Sequence, residues 1–229
     1  MNGPAMFARY AFAPNQLGYC GPADAGALLE GRTGVRFRAL AKQFEGAWPQ
    51  LRVIAAATGT ADPLDREVVE AYWVGNRLLD RAGSSDGTGS GLPHHSFQVF
   101  CHYPWASLLH DERRTEHALQ VLDQCRIRWG KVISAAGGKV VVESRPLVWD
   151  GVRLALGLPS RDTATLGLGN VELIEPLRPG DWVSLHWGWV CDRLSPPQLV
   201  ALRHYSAYHL DLVNQRLGGR TGMSGPRIP

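Results

Sequence analysis

No stretch of 18 or more apolar residues occurs in the chain, which argues against a membrane-spanning helix. The start, Met1-Asn2-Gly3-Pro4-Ala5-Met6, has neither the basic region nor the long apolar segment of a secretion signal, so a cytoplasmic protein is expected. Charge is equally unpatterned. The 24 Lys and Arg against 21 Asp and Glu leave a formal +3 with no run of one sign, and nucleic acid is not an expected partner. Cys20, Cys101, Cys125 and Cys191 lie far apart with no Cys-x-x-Cys pair, which removes a zinc knuckle or thioredoxin-type motif and predicts free thiols in a reducing compartment. The glycine-rich run 83–91 lacks the lysine and the spacing of a phosphate loop. No Ser/His/Asp motif or paired-carboxylate spacing speaks for a hydrolase.

What is present is enough for a real core: 229 residues at 45% hydrophobic composition, room for one large or two small domains. Residues 1–10 show no clear period, and Pro4 and Pro14 limit any helix there. Short helices are expected at 35–44 and at 48–58, the latter stopping before Gly59. Asp62-Pro63-Leu64-Asp65 predicts another, with Asp62 as N-cap and Val68, Ala71, Tyr72, Gly75, Leu78 and Leu79 on one face. Glu112 to Gln124 is also helical, with Ala118, Val121, Leu122 and Cys125 sharing a face. From Arg126 the period changes to that of strands: 126–134, a Gly137-Gly138 turn, 139–144, 152–156, around 163–168, 182–187 and 189–193. Ser195-Pro196-Pro197 then starts a helix with Leu199, Leu202, Tyr205, His209 and Val213 on one side, and 218–229 reads as a frayed tail.

Two segments outside the strands carry chemistry. Cys20 precedes Pro22 at an expected helix start, where the dipole and free N–H groups would lower a thiol pKa and suit it to ligation or nucleophilic attack; the plain alternative is a small buried residue in a Gly-Pro turn. His94, His95, Cys101 and His102 crowd one short segment and invite a metal or cofactor. Read as a strand at roughly 3.3 Å per residue, that segment would set His94 and His102 on one face roughly 26 Å apart, with His95 and Cys101 on the other, so a site there needs a bend or donors from elsewhere.

The strand-rich part opens with Cys125-Arg126-Ile127-Arg128-Trp129-Gly130-Lys131-Val132 and closes with Gly180-Asp181-Trp182-Val183-Ser184-Leu185-His186-Trp187-Gly188. These two elements, in this order, resemble the HypC-type hydrogenase-maturation chaperones, with a cysteine and Gly-Lys-Val at the start and Gly-Asp-apolar-Val-apolar-His-apolar-Gly near the end. Trp129 stands where that family has proline, Cys125 is internal where the family's cysteine follows the initiator methionine, and 145–152 looks like a lengthened hairpin.

The resemblance implies an α+β protein: a helical domain over 1–124, an OB-like β-barrel plus helix over 125–217, and the tail 218–229. It implies a nickel-iron hydrogenase maturation factor whose metal ligands are Cys125 and His186. Iron, with cyanide or carbon monoxide as further ligands, is the implied cofactor, and the hydrogenase large-subunit precursor and other maturation proteins are the implied partners. A soft thiolate beside an imidazole is a reasonable donor pair for such low-spin Fe(II). The helical half could help to supply or install an iron ligand through Cys20, His94, His95, Cys101 and His102. Two alternatives stay open: a haem or non-haem iron enzyme with its pocket in the helical half, and a protein-only adaptor. Whether the protein is an enzyme is left undecided by the sequence.

Overall fold

The computed structural model describes residues 2–23, 26–28, 34–83, 91–168, 171–172 and 176–221, and it places helices first, then a closed five-stranded barrel, then a long helix. The expected loop 83–91 and tail 218–229 fall largely outside the described residues.

Helix α1 (Gly3–Gln16) forms where no period was legible. The reason is burial on every side: Met6 through Asn15 are all buried, so the helix has no solvent face to write a 3.6-residue pattern. Asn2 caps it by accepting the Ala5 N–H at 2.9 Å, and Pro4 sits in the first turn, where a missing N–H costs nothing. Pro14 lies inside the helix and leaves the Tyr10 carbonyl without its usual N–H donor.

Helices α2 (Gly34–Ala41) and α3 (Trp48–Thr58) follow, and α3 ends at the left-handed Gly59 as its sequence predicts. Helix α4 (Arg66–Trp73) begins later than expected. Asp65 is its cap, accepting from Glu67 N at 2.8 Å, whereas the Asp62 carboxylate is taken by Leu64 N and by Arg38. The single long helix expected through Leu79 breaks at Gly75, whose φ of 97° is a conformation side chains avoid, and α5 (Leu79–Ala82) resumes after it. A Cβ at Gly75 would run into the ring of Tyr205. Gly75→Ala is therefore expected to destabilise the protein by more than about 1 kcal/mol, read as a lowered Tm in thermal unfolding.

The histidine-rich segment is not a strand. It is a one-turn helix, α6 (His95–Phe97), capped by His94, which widens into a π-helical turn at Gln98–His102 and a 3-10 turn at Pro104–His110. Alternation of apolar and polar residues was a poor guide because this segment is buried on both sides: Ser96, Gln98, Val99 and Phe100 are all nearly inaccessible. Helix α7 (Thr115–Cys125) then buries Ala118, Val121 and Leu122, with Cys125 as its last residue.

Strands β1 (Arg128–Ala136) and β2 (Lys139–Ser144) pair around the Gly137-Gly138 turn. A small hairpin, β3 (Leu147–Trp149) with β4 (Leu154–Leu156), stands aside and packs on α7 and on α8 (Pro196–Thr221). Strand β5 (Ser160–Thr165) returns to the barrel, β6 (Gly167–Leu168) pairs with β7 (Val171–Glu172), and β8 (Trp182–His186) and β9 (Trp189–Arg193) close it. The barrel order is β1-β2-β5-β9-β8, every pairing antiparallel except β5 with β9. Val132, Val140, Val142, Ala164, Val183, Leu185 and Val190 fill its interior.

Helix α1 lies against β8 and β9. Arg9 pairs with Asp192 at 2.8 Å, Tyr10 Oη meets Ser184 Oγ at 2.8 Å, and Phe12 packs edge-on to Trp189. One apolar core accordingly takes in Met6, Phe7, Leu51, Ile54, Val68 and Tyr72 together with Ile127, Cys191 and Leu202. In α8 the predicted stripe of Leu199, Leu202, Tyr205, His209 and Val213 is buried throughout.

Candidate functional site

Three separate elements deliver a histidine, a cysteine and a histidine to one point. One ring nitrogen of His95 (α6), one of His186 (the end of β8) and Sγ of Cys125 (the end of α7) all lie within 4.8 Å of one another. Both rings are buried, at 4% and 1% exposure, while Cys125 is half-buried. The cluster sits at the bottom of a cleft of about 630 Å³ whose walls include Tyr72, Trp73, Tyr103, Trp187 and Cys20.

Each ring is held by a backbone carbonyl, which fixes its tautomer because a carbonyl only accepts. His186 donates from Nδ1 to Tyr10 O at 2.7 Å, the carbonyl that Pro14 left open. That puts the lone pair of His186 on Nε2, which is buried and has no hydrogen-bond partner among the described residues. His95 donates from Nε2 to Cys125 O at 2.8 Å, leaving the lone pair on Nδ1, where the Tyr72 hydroxyl lies at 3.2 Å. A second set of bonds holds α6 itself. The chain His209 Nδ1, Ser96 Oγ, His94 Nδ1 runs at 2.8 and 2.7 Å, and His209 Nε2 accepts from Leu92 N, so Nδ1 of His209 is the donor. Fully buried and without a carboxylate, this Ser/His network anchors α6 to α8; it offers no accessible nucleophile.

Strands β8 and β9 are joined by Trp187-Gly188, with φ of 51° and 74°. That is the backbone of a tight hairpin turn in which Asn-Gly is usual, and Trp187 is the only non-glycine with positive φ among the described residues. Such a conformation costs of order 1–3 kcal/mol. The Trp187 N–H donates to Gln124 O at 3.0 Å, and its ring stacks on Tyr19 with centroids 4.0 Å apart. The turn thus ties the residue after His186 to the residues before Cys125 and Cys20.

Burial sets the protonation. Desolvation holds His186 down to about 4, against smaller upward pulls from the backbone of Tyr10 and Cys125, and it holds His95 well below its ordinary value, with His186 adding to the effect. Burial first, then neighbouring Cys20, pushes the Cys125 thiol up to about 12, and burial alone carries Cys20 to about 12 as well. At neutral pH the site therefore holds two uncharged imidazoles and protonated thiols. The sequence-based expectation of a lowered thiol pKa at Cys20 is overturned: among the described residues no α-helix begins at Pro22, and burial dominates.

Two pH dependences follow. The folded pKa of His186 lies below its unfolded value near 6.5, so the unfolded state binds more protons between the two; stability is full above about 6.5 and is expected to fall as pH drops toward about 4, checked by urea unfolding across that range. A metal bound at Cys125 must displace the thiol proton while the imidazoles compete with none. Affinity for Co(II) is thus expected to rise about tenfold per pH unit from pH 6 to 8 for each thiol that binds the metal, checked by titration calorimetry in buffers of different ionisation enthalpy.

The structure brings together Cys125, His186 and His95, and places Cys20 on the wall of the same cleft. It does not bring the others: His94 turns to Ser96 and stacks with His209, His102 is exposed, and the thiol of Cys101 faces the His209 carbonyl at 3.8 Å. Trp73, against which both site imidazoles lean at 4.6 and 5.7 Å, and Tyr72, Tyr103 and Tyr10 gave no sign in the sequence beyond being aromatic. Trp187 alone left a trace, as the residue before glycine between two apolar strands.

Fold and site together define a helical scaffold clamped to a small barrel, with an open His/Cys donor cluster where they meet. The chain belongs to the family described as Family of unknown function (DUF6390), whose model matches residues 1–88 and 84–220. No curated protein and no solved structure matches the chain.

Proposed function

We propose that the protein is a transition-metal carrier in nickel-iron hydrogenase maturation, holding iron through His95, Cys125 and His186. The observation that carries this reading is the meeting of those three donors, from three elements, within 4.8 Å at the bottom of a cleft. A thiolate with two neutral imidazoles suits an electron-rich, low-spin Fe(II) that also carries cyanide or carbon monoxide. Three donors from one side leave the cleft-facing positions free for such ligands or for donors from a partner, as a site that must release its cargo requires; a structural site would be closed. The strand order, first-second-third-fifth-fourth with only third and fifth parallel among the five barrel strands, supports the OB-like reading and with it the likeness to HypC-type chaperones. Where those small proteins rely on a partner scaffold, His95 here would supply a donor from the chain's own helical half. The hydrogenase large-subunit precursor and other maturation proteins are the expected partners at the mouth of the cleft.

The test is to purify the full chain anaerobically from cells making the other maturation proteins and to record metal content and infrared spectrum. Iron with bands of bound cyanide or carbon monoxide is expected, together with capture of the large-subunit precursor. Metal-free protein that still captures the precursor would make it a protein-only adaptor. A second reading, a non-haem iron enzyme, draws on the size of the cleft, which at about 630 Å³ is in the range of small-molecule sites and has phenol hydroxyls of Tyr72 and Tyr103 on its walls. Iron without diatomic bands and without precursor binding would favour it; a Soret band would instead mark haem.

A further inference from the structure

The cleft contains a second thiol. Cys20 lies on its wall with His95, Cys125 and His186, in a segment built rather than loosely draped: the Asn15 amide donates to the carbonyls of Cys20 at 2.7 Å and Pro22 at 2.6 Å, and Gly21 is seated against Phe44 so closely that a Cβ would collide with the ring. Trp187 draws the pieces together. Its ring stacks on Tyr19, the neighbour of Cys20; its N–H is held by Gln124, the neighbour of Cys125; and it directly follows His186. Independently of Cys20, Nε2 of His186 is buried in the same cleft and has no hydrogen-bond partner among the described residues, and a bound cation would satisfy it.

Resting on the metal reading above, we propose that Cys20 is a further donor to the metal bound at this site, making the set His95, Cys125, His186 and Cys20, two imidazoles and two thiolates. Each thiol loses its proton to solvent as its Sγ bonds the metal; the Cys20 sulfur is not among the donors that already lie within 4.8 Å of one another, so its side chain must turn about the Cα–Cβ bond to join them while Asn15 keeps the backbone of its segment fastened. Such a four-donor set is tetrahedral in character and suits Zn(II) or Co(II) as readily as iron. It gives the carrier two modes: four protein donors when a bare ion is held, and three when ligands on the cargo take the position of Cys20.

The experiment uses the full chain and Co(II) alone, read by the thiolate-to-cobalt absorption in the near ultraviolet. One Co(II) per chain is expected, and Cys20→Ser is expected to keep that stoichiometry while the band falls roughly twofold, since one thiolate of two is lost. Unchanged intensity in Cys20→Ser overturns the role of Cys20 and leaves the three-donor site standing. Failure of the unaltered protein to bind Co(II) overturns the metal reading itself, and this proposal with it. A measurement on the unaltered protein removes any doubt about folding of the variant: with Zn(II) bound, alkylation of both Cys20 and Cys125 by iodoacetamide, followed by peptide mass spectrometry, is expected to slow at least tenfold relative to metal-free protein, while Cys101 reacts at its former rate. Protection of Cys125 without Cys20 would again overturn the proposal.

Discussion

Alanine at Cys125 is expected to weaken Co(II) or Fe(II) binding by more than about 100-fold, and alanine at His95 or His186 to do the same. Residues that merely orient metal ligands typically account for 10- to 100-fold in affinity, so loss of a donor should exceed that range. The expectation rests on the shared position of the three donors, within 4.8 Å, and on the neutral state that burial imposes on both rings. Cys101→Ala and His102→Ala, residues equally suggestive in the sequence, are expected to bind metal as the unaltered chain does, since neither lines the cleft. Equilibrium dialysis with metal analysis would read all five variants. Equal binding by Cys125→Ala and the unaltered protein would show that the cluster is only a set of packed polar residues. Tyr72→Phe should bind metal at least as tightly as the unaltered chain, because the hydroxyl lies 3.2 Å from Nδ1, the one lone pair of His95, and competes with the metal for it.

The largest effect on stability is expected at Asp123. Its carboxylate accepts from Arg126 Nε at 3.0 Å, from Arg126 Nη2 at 2.8 Å and from the Leu147 N–H at 2.9 Å, and it lies 3.8 Å from Arg128. Both arginines are only 3% exposed. Among the described residues, removing the carboxylate leaves the Arg126 charge buried with the Arg145 carbonyl as its acceptor at 2.6 Å, and leaves Arg128 to lean on Asp162 alone among carboxylates. Breaking a buried pair in this way costs about 3–5 kcal/mol, because the surviving charge is uncompensated. Asp123→Ala should therefore show a much lower urea midpoint with unchanged slope. Asp123→Asn, which keeps an oxygen acceptor, should lose less. Since Asp123 lies two residues before Cys125 on α7, metal binding should weaken in the alanine variant as well, as a consequence of a loosened helix end.

Much of this fold was legible in residues whose environment is one-sided. Helix α3 stops at Gly59, β2 has the bounds that alternation and turns predict, and the buried stripe of α8 is the predicted one, because in each case one face meets water and the period survives; β9 is buried on both faces, and its bounds follow from the Trp187-Gly188 turn and the Ser195-Pro196 helix start. Where the chain is buried all round the period disappears. Helix α1 carries no period for that reason, and the segment around His95 has the spacing of an extended strand although it is helical. The pairing of Cys125 with His186 was visible as two motifs in order, but not from geometry. His95 stands out only by the density of histidines near it, and nothing local distinguishes it from His94: the cap residue and the first residue of a one-turn helix point different ways, His95 into the cleft and His94 toward His209 of α8.

Pro14 reaches further than its neighbourhood. An imino acid in the body of a helix is ordinarily a defect, yet here the carbonyl it strands becomes the tether of an imidazole 176 positions away from Tyr10. A change as mild as Pro14→Ala would restore a competing donor on the first helix and loosen the orientation of a ring at the far end of the chain, so the electronic character of the donor cluster is written partly at the amino-terminal helix and not only where its ligands stand.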